Sequence, residues 1–186
     1  CEVLSVDDNM LNHMVVENAL APRGYVVTTV MSGEEALELL KRRKYLPDCM
    51  LVDYMMAEMN GLQLTKLIRQ YFPSNSLPVI IVSGKGLETD IDAGLHSGAN
   101  DYLVKPYDVS DLKGKIKQQL RLKQHFLIEV QKQLCERPGI IHFPFSRNRS
   151  RGAHALSSLD DGLVICCDIC HLLQLAHSMP SEDFAR

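Results

Sequence analysis

Cys49-Met50-Leu51-Val52-Asp53 is a run of four apolar residues closed by a carboxylate. An unbroken apolar run this short suits a strand buried on both faces, because a half-exposed strand alternates polar with apolar residues. Three other runs share its form: Val3-Leu4-Ser5-Val6 leads into Asp7-Asp8, Val79-Ile80-Ile81-Val82 into Ser83, and Tyr102-Leu103-Val104 into Lys105-Pro106. In an open α/β sheet, ligands bind outside the carboxyl ends of the strands, where the strand order reverses. Three carboxylates, a hydroxyl and an amine from distant stretches then meet at one crevice. That set of groups suits a divalent cation and a phosphoryl group.

Outward from these runs, the chain up to about residue 123 alternates strand-like and helical patterns, as βαβ units do. Strands are expected over 2–6, 25–29, 48–52, 78–82 and 101–104. Leu11, Met14, Val15 and Ala19 mark one helical face, and Ala36, Leu39 and Leu40 a second, entered by Ser32-Gly33-Glu34-Glu35 as a capping box. Leu64, Leu67, Ile68 and Tyr71 mark a third. Leu87, Ile91 and Leu95 mark a fourth, weakened by Gly94, since glycine costs about 1 kcal/mol against alanine inside a helix. Gly24 and Gly98 stand where helices should stop. Five such units predict an α/β fold: a flavodoxin-like, doubly wound, five-stranded parallel sheet of order 2-1-3-4-5.

The fifth helix starts near Asp108 and runs on, with Leu112, Ile116 and Leu120 continuing the core face. Leu120, Leu127 and Leu134 then recur every seven residues, with Ile116 and Val130 at the companion spacing. Two readings stand side by side, a coiled-coil seam interrupted by Lys123 and a long amphipathic surface helix. Pro138-Gly139 ends the pattern. The expected organisation is a domain over 1–123, a helical extension with a possible coiled-coil linker over 124–137, and an unassigned tail over 138–186. Within the tail, Ser146–Gly152 is turn-like, Leu163-Val164-Ile165 is strand-like, and His171 to His177 could form a short helix.

Composition narrows the function classes. The chain has 186 residues, 46% hydrophobic and 23% charged, with a formal net charge of -3. No basic stripe argues for nucleic acid and no acidic tail for disorder. No apolar stretch approaches the ~18–20 residues of a membrane span. The chain opens on Cys1 rather than Met, directly in a strand-like run, which suggests a fragment of a longer frame without a signal peptide of its own. Of six cysteines, Cys1, Cys49 and Cys135 are scattered, and Cys166, Cys167 and Cys170 are crowded in the tail. Cys167-Asp168-Ile169-Cys170-His171 fits the C-x-x-C-H of covalent haem attachment, and zinc could draw on Cys166, Cys167, Cys170, His171 and His177. Haem attachment needs an exporting compartment and zinc lacks a second regular ligand pair, so idle thiols are the expectation.

The chemistry centres on Asp7, Asp8 and Asp53. Two unit charges about 4 Å apart repel by about 4 kcal/mol at an effective dielectric near 20. Converging carboxylates therefore call for a cation, and hard oxygen ligands with waters to spare suit Mg²⁺. Taken alone, Asp7-Asp8 could equally cap the following helix. A carboxylate such as Asp53 can attack phosphorus and form an acyl phosphate. Lys105 is a compact charge suited to gripping a phosphoryl oxygen, Ser83 can hydrogen-bond another, and Gly84 leaves room beside it. The Lys105–Pro106 bond is a candidate for the cis form.

The runs Val6-Asp7-Asp8-Asn9, Leu51-Val52-Asp53-Tyr54-Met55-Met56, Val82-Ser83-Gly84 and Asp101-Tyr102-Leu103-Val104-Lys105-Pro106 resemble the receiver domain of two-component response regulators, over about residues 2–123. The resemblance implies that Asp53 accepts a phosphoryl group from the histidine of a histidine kinase or histidine phosphotransfer domain. It implies Mg²⁺ held by Asp8, Asp53 and the backbone carbonyl of Met55, with Asp7 helping through water. It also implies a switch in which Ser83 moves toward the phosphoryl group and Tyr102 turns inward, changing the surface of the fourth helix, fifth strand and fifth helix. Ala57 departs from the proline frequent in the family, and Met55 and Lys85 fall at positions that tune hydrolysis there.

Such a module would phosphorylate and dephosphorylate itself without being an enzyme in the turnover sense, inside the cytoplasm or in the cytoplasmic part of a larger protein. Its extended helix is similar to those of receivers built into hybrid kinases or receiver-coupled nucleotide cyclases, and 108–136 is a candidate for self-association. The rival is a Mg²⁺-dependent phosphohydrolase with an aspartyl-phosphate intermediate. Such enzymes commonly place a general acid two residues after the nucleophile, where this chain has Met55.

Overall fold

Five apolar runs pair side by side as parallel strands: β1 (Glu2–Val6), β2 (Val26–Val30), β3 (Cys49–Asp53), β4 (Val79–Ser83) and β5 (Asp101–Val104). The structure, a computed structural model, describes residues 1–84 and 88–135. The strand order is β2-β1-β3-β4-β5, the doubly wound order expected. Helices α1 (Met10–Leu20), α2 (Gly33–Arg42), α3 (Gly61–Arg69), α4 (Glu88–His96) and α5 (Val109–Cys135) follow the strands in turn. Cys1–Lys123 is one compact unit.

Strand periodicity builds two cores. Leu4, Val6, Met50, Val52, Val79, Ile81 and Tyr102 face one side of the sheet, with Ala36 and Leu40 of α2 and Leu64 and Ile68 of α3. Val3, Cys49, Leu51, Ile80, Val82 and Leu103 face the other, with Val16, Ala19 and Leu20 of α1 and Leu112 and Ile116 of α5. Because successive side chains point to opposite faces, covering both faces requires the continuous apolar runs seen in the sequence. Cys49 is wholly buried, and burial pushes its thiol up to about 12, so it stays protonated and inert.

Three strands begin one residue later than expected. Tyr25, Asp48 and Pro78 stand just outside β2, β3 and β4. Pro78 has no N–H for a ladder, and the Asp48 carboxylate is occupied by the N–H of Glu2 at 2.8 Å. The same shift brings Asp53 and Ser83 inside the ladder, opposite Val82 and Val104.

The expected face of α1 is only partly right. Ala19 is buried, but Leu11, Met14 and Val15 are at least half exposed, and His13, Val16 and Leu20 point inward instead. This helix is apolar on both sides, so its own pattern does not choose an orientation. Contacts from Asn12 and His13 to the end of β1 choose it. In α3, Leu64 and Ile68 are buried as expected, whereas Tyr71 lies beyond the helix and is 64% exposed. In α4, Leu95 is exposed and Gly94 is buried in its place. Leu39 is half-buried beside Ala36 and Leu40.

Helix ends follow their signals. Ser32 accepts from the N–H of Glu35, as a capping box requires, but the Glu35 carboxylate reaches the N–H of Met31 rather than that of Ser32. Asn60 and Gln63 form the complete reciprocal box at α3. Gly24 and Gly98 take φ of 81° and 94°, the left-handed conformation that ends the 3-10 turn Ala21–Arg23 and follows α4. At the amino end of the sheet, Arg69 donates to the carbonyls of Gly98, Phe72 and Leu77 and to Asn100 Oδ1, tying α3 to the turns before β4 and β5. Burial lowers its guanidinium to about 10, still charged at neutral pH. Lys123, expected to interrupt a seam, is buried with its Nζ 3.4 Å from the Asp48 carbonyl oxygen. Leu87, Lys85, Pro138-Gly139 and the tail motifs lie outside the described residues.

Candidate phosphoacceptor and metal site

The strand order reverses between β2 and β3, on either side of β1, and the crevice opens there. Val6 pairs with Val52 across β1 and β3, so the next residues along, Asp7 and Asp53, come out together. Carboxylate oxygens of Asp7, Asp8 and Asp53 lie within 4.8 Å of one another. Asp7 and Asp53 are buried and Asp8 is exposed. Two strands away Ser83 pairs with Val104, and Lys105 donates its N–H to the Ser83 carbonyl at 2.7 Å. The lysine then reaches back, its Nζ 2.5 Å from Asp53 Oδ1 and 3.2 Å from Asp7 Oδ2. The Lys105–Pro106 bond is cis.

Each carboxylate has a distinct set of neighbours. Asp53 Oδ2 accepts the N–H of Met55 at 2.9 Å, and Asp8 Oδ2 accepts the N–H of Ala57 at 3.1 Å. Asp7 accepts the N–H of Asn9 and both oxygens take bonds from Asn12 Nδ2, at 2.9 and 2.8 Å. Neither aspartate caps α1: the cap is Asn9, whose side chain accepts from the N–H of Leu11. Burial raises the Asp53 carboxyl above its ordinary value, and the Asp7 charge adds to this; Lys105 and the Met55 N–H only partly oppose them. Burial pulls the Lys105 ammonium down, but its hydrogen bond and charge pairing with Asp53, joined by Asp7, outweigh that and hold it above the ordinary lysine value.

One ammonium thus pairs with the two buried carboxylates while Asp8 stays exposed, and burial together with the Asp7 charge leaves the Asp53 carboxyl above its ordinary value. Clustered hard oxygens with one open to solvent fit a Mg²⁺ ion, which keeps several waters and takes few protein ligands. Asp7, Asp8, Asp53 and Lys105 are brought together as expected. Ser83 is 1% exposed at the end of β4, and among the described residues other than its chain neighbours no atom lies within 4 Å of a Cβ placed at Gly84. Tyr102 is buried on the α2–α3 side of the sheet, and the Met55 side chain is 61% exposed.

Sequence reasoning missed three contributors. Asn12 is a poor helix former inside α1, and that misfit was the available signal that it serves another group. Gly61 packs so closely on the end of β3 that a Cβ there would stand 2.4 Å from the Asp53 carbonyl oxygen. His13, which no pattern in the sequence singles out, is 1% exposed with its Nε2 against the Asp7 backbone oxygen.

With this geometry in place, comparisons with known proteins fix the class. Residues 3–117 match the model of the response regulator receiver domain, and the chain belongs to that family. It is 32% identical over 121 residues to the sensor histidine kinase CheAY of Helicobacter pylori, an alignment covering 65% of this chain and 15% of that protein. It is likewise 32% identical to the phosphate regulon transcriptional regulatory protein PhoB of Rhizobium meliloti, over 64% of this chain and 52% of the relative. The chain thus spans about half or less of these curated relatives. Among solved structures, the receiver domain of a sensor histidine kinase from Pseudomonas aeruginosa PAO1 superposes with a TM-score of 0.58 at 31% identity, covering 64% of this chain and 96% of that one. That domain was solved with a magnesium ion coordinated in its active site cleft.

Proposed function

We propose that residues 1–123 form a phosphorelay module in which Asp53 is the phosphoacceptor. The observation carrying this reading is the convergence on Asp53 of Lys105 at 2.5 Å and of the Asp7 and Asp8 carboxylates within 4.8 Å. The donor is the phosphohistidine of a histidine kinase or phosphotransfer domain. An Asp53 carboxylate oxygen forms a bond to phosphorus as the phosphorus–nitrogen bond breaks, and the imidazole leaves with the electron pair and takes up a proton. Asp8, Asp53 and the Met55 backbone carbonyl would hold Mg²⁺, with Asp7 helping through water, and the bound ion would supply positive charge to offset that on the phosphoryl oxygens.

Lys105 moves its charge from the free carboxylate to a phosphoryl oxygen, and Ser83 donates to another. Tyr102 and Ser83 couple this change to the surface of α4, β5 and α5. Met55 has no proton to give two residues after the nucleophile, which favours a slow switch over a phosphohydrolase. The module belongs to a larger cytoplasmic signalling chain, with 124–137 as its connection to residues 138–186. Among the described residues no helix is long and apolar enough to cross a membrane.

Incubation with Mg²⁺ and acetyl phosphate or phosphoramidate should leave an acid-stable, base-labile phosphoryl group. Asp53→Ala should lose it. Label that persists in that variant, or rapid multiple turnover of a phosphate ester, would overturn the reading.

A further inference from the structure

A histidine buried beneath the acidic crevice is made part of it by two hydrogen bonds. His13 lies in the first turns of α1 and is 1% exposed; its Nε2 is 2.8 Å from the Asp7 backbone oxygen and its Nδ1 is 3.0 Å from Ser5 Oγ. A carbonyl oxygen can only accept, so Nε2 carries a hydrogen. In the neutral ring Nδ1 is then an acceptor, and the Ser5 hydroxyl, itself 3% exposed, donates to it. Both polar ring atoms are satisfied in a site without water access, as a buried polar side chain requires.

The position of the accepted oxygen gives this chain of bonds its consequence. The β1 ladder ends at Val6, and beyond it the Asp7 N–H still reaches the Val30 carbonyl at 3.3 Å. The Asp7 carbonyl is the first after the ladder, at the point where the chain turns toward α1. The peptide unit it belongs to is planar, so fixing that oxygen also fixes the nitrogen and Cα of Asp8. Asp7 is held at its carboxylate by Asn9 and Asn12, whereas the link to Asp8 is held by His13.

We infer that His13 is a positioning residue for the cation site: its Nε2–H sets the Asp7–Asp8 peptide plane, and so the direction of the Asp8 carboxylate toward Asp7 and Asp53. This rests on the Mg²⁺ reading above and extends it to a group that touches neither ion nor phosphoryl. Outer-shell partners of this kind typically contribute about 10–100-fold to metal affinity.

Two variants separate the hydrogen bond from mere packing. In His13→Gln the terminal amide stands where Nε2 stood and can still donate to the Asp7 carbonyl. In His13→Asn the shorter amide reaches only toward Ser5. Isothermal titration with MgCl₂ should show affinity within about 3-fold of the parent for His13→Gln and about 10-fold or more weaker for His13→Asn. Leu40→Ala, in the core on the opposite face of the sheet, controls for general loss of stability and should leave the affinity unchanged. Amide chemical shifts of Asp8 and Ala57 without Mg²⁺ supply the second readout, because the Ala57 N–H is bonded to Asp8 Oδ2. They should move in His13→Asn and stay near the parent positions in His13→Gln. Equal behaviour of the two variants, in affinity or in these shifts, overturns the role of His13. A parent that binds no Mg²⁺ overturns the cation reading instead, and the shifts still decide whether His13 orients Asp8.

Discussion

Gly94 shows how a single residue can look like a defect in sequence and have a reason in space. Inside α4 it should weaken the helix, and alanine should improve it by about 1 kcal/mol. A Cβ at this position would stand 2.7 Å from Cδ2 and 3.1 Å from Cε2 of Tyr102, so the missing side chain is the space the tyrosine ring occupies. Gly94→Ala should therefore destabilise the protein by about 1–3 kcal/mol in urea unfolding. In a Tyr102→Ala background the same substitution should become stabilising. A gain from Gly94→Ala in both backgrounds would show that the ring does not need the space. Asp53 offers a similar lesson. Its chemistry was legible because an acid closes an apolar run, but its raised pKa reflects burial and the Asp7 charge, which depend on residues 46 positions away.

At the scale of elements, strands were read more securely than helices. A β-strand buried on both faces has only one way to be apolar, and Val79-Ile80-Ile81-Val82 leaves no alternative. Helices needed their partners. In α1 the Asn12 and His13 bonds to Asp7 turn Val16 and Leu20 inward, leaving Met10, Leu11, Met14 and Val15 on the outside. The length of α5 was anticipated from periodicity, and Val109–Cys135 is one continuous helix. Leu120 packs against the core of the domain and Leu127 is already buried within the single chain, so pairing of the later turns with a second copy rests on the seven-residue spacing of the sequence rather than on an exposed leucine face. Self-association should appear in sedimentation at high concentration and disappear on truncation after Lys123. A chain monomeric before truncation removes the seam.

For the whole molecule, the uncompensated charge of the crevice links folding to pH and to Mg²⁺. Asp53 is raised in the folded state, so the folded protein binds more proton than the unfolded chain between the two values, and stability falls as pH rises through that interval. Lys105 is also raised, and its contribution is fully present below the ordinary lysine value of about 10.4 and lost as pH climbs through the raised one. A bound cation relieves the first effect. Mg²⁺ at a hundred times its Kd should add about 2.7 kcal/mol to stability near pH 7. Below the carboxylate range it should add almost nothing. Thermal unfolding across pH with and without Mg²⁺ measures this, and a Mg²⁺ gain independent of pH would exclude the aspartates as its ligands.

By itself the sequence determined the sheet, its order and the chemical character of the crevice. Continuous apolar runs ending on Asp53, Ser83, Lys105 and Asp7-Asp8 are local patterns, and parallel-sheet geometry gathers their ends at one edge whatever the helices do. Tertiary structure alone decided which face of α1 turns inward, why Gly94 stands in α4, and that Asn12 and His13 hold Asp7 from its two ends. These depend on pairs of groups from different elements, and periodicity along one segment carries no information about a partner whose distance is set by the packing of another.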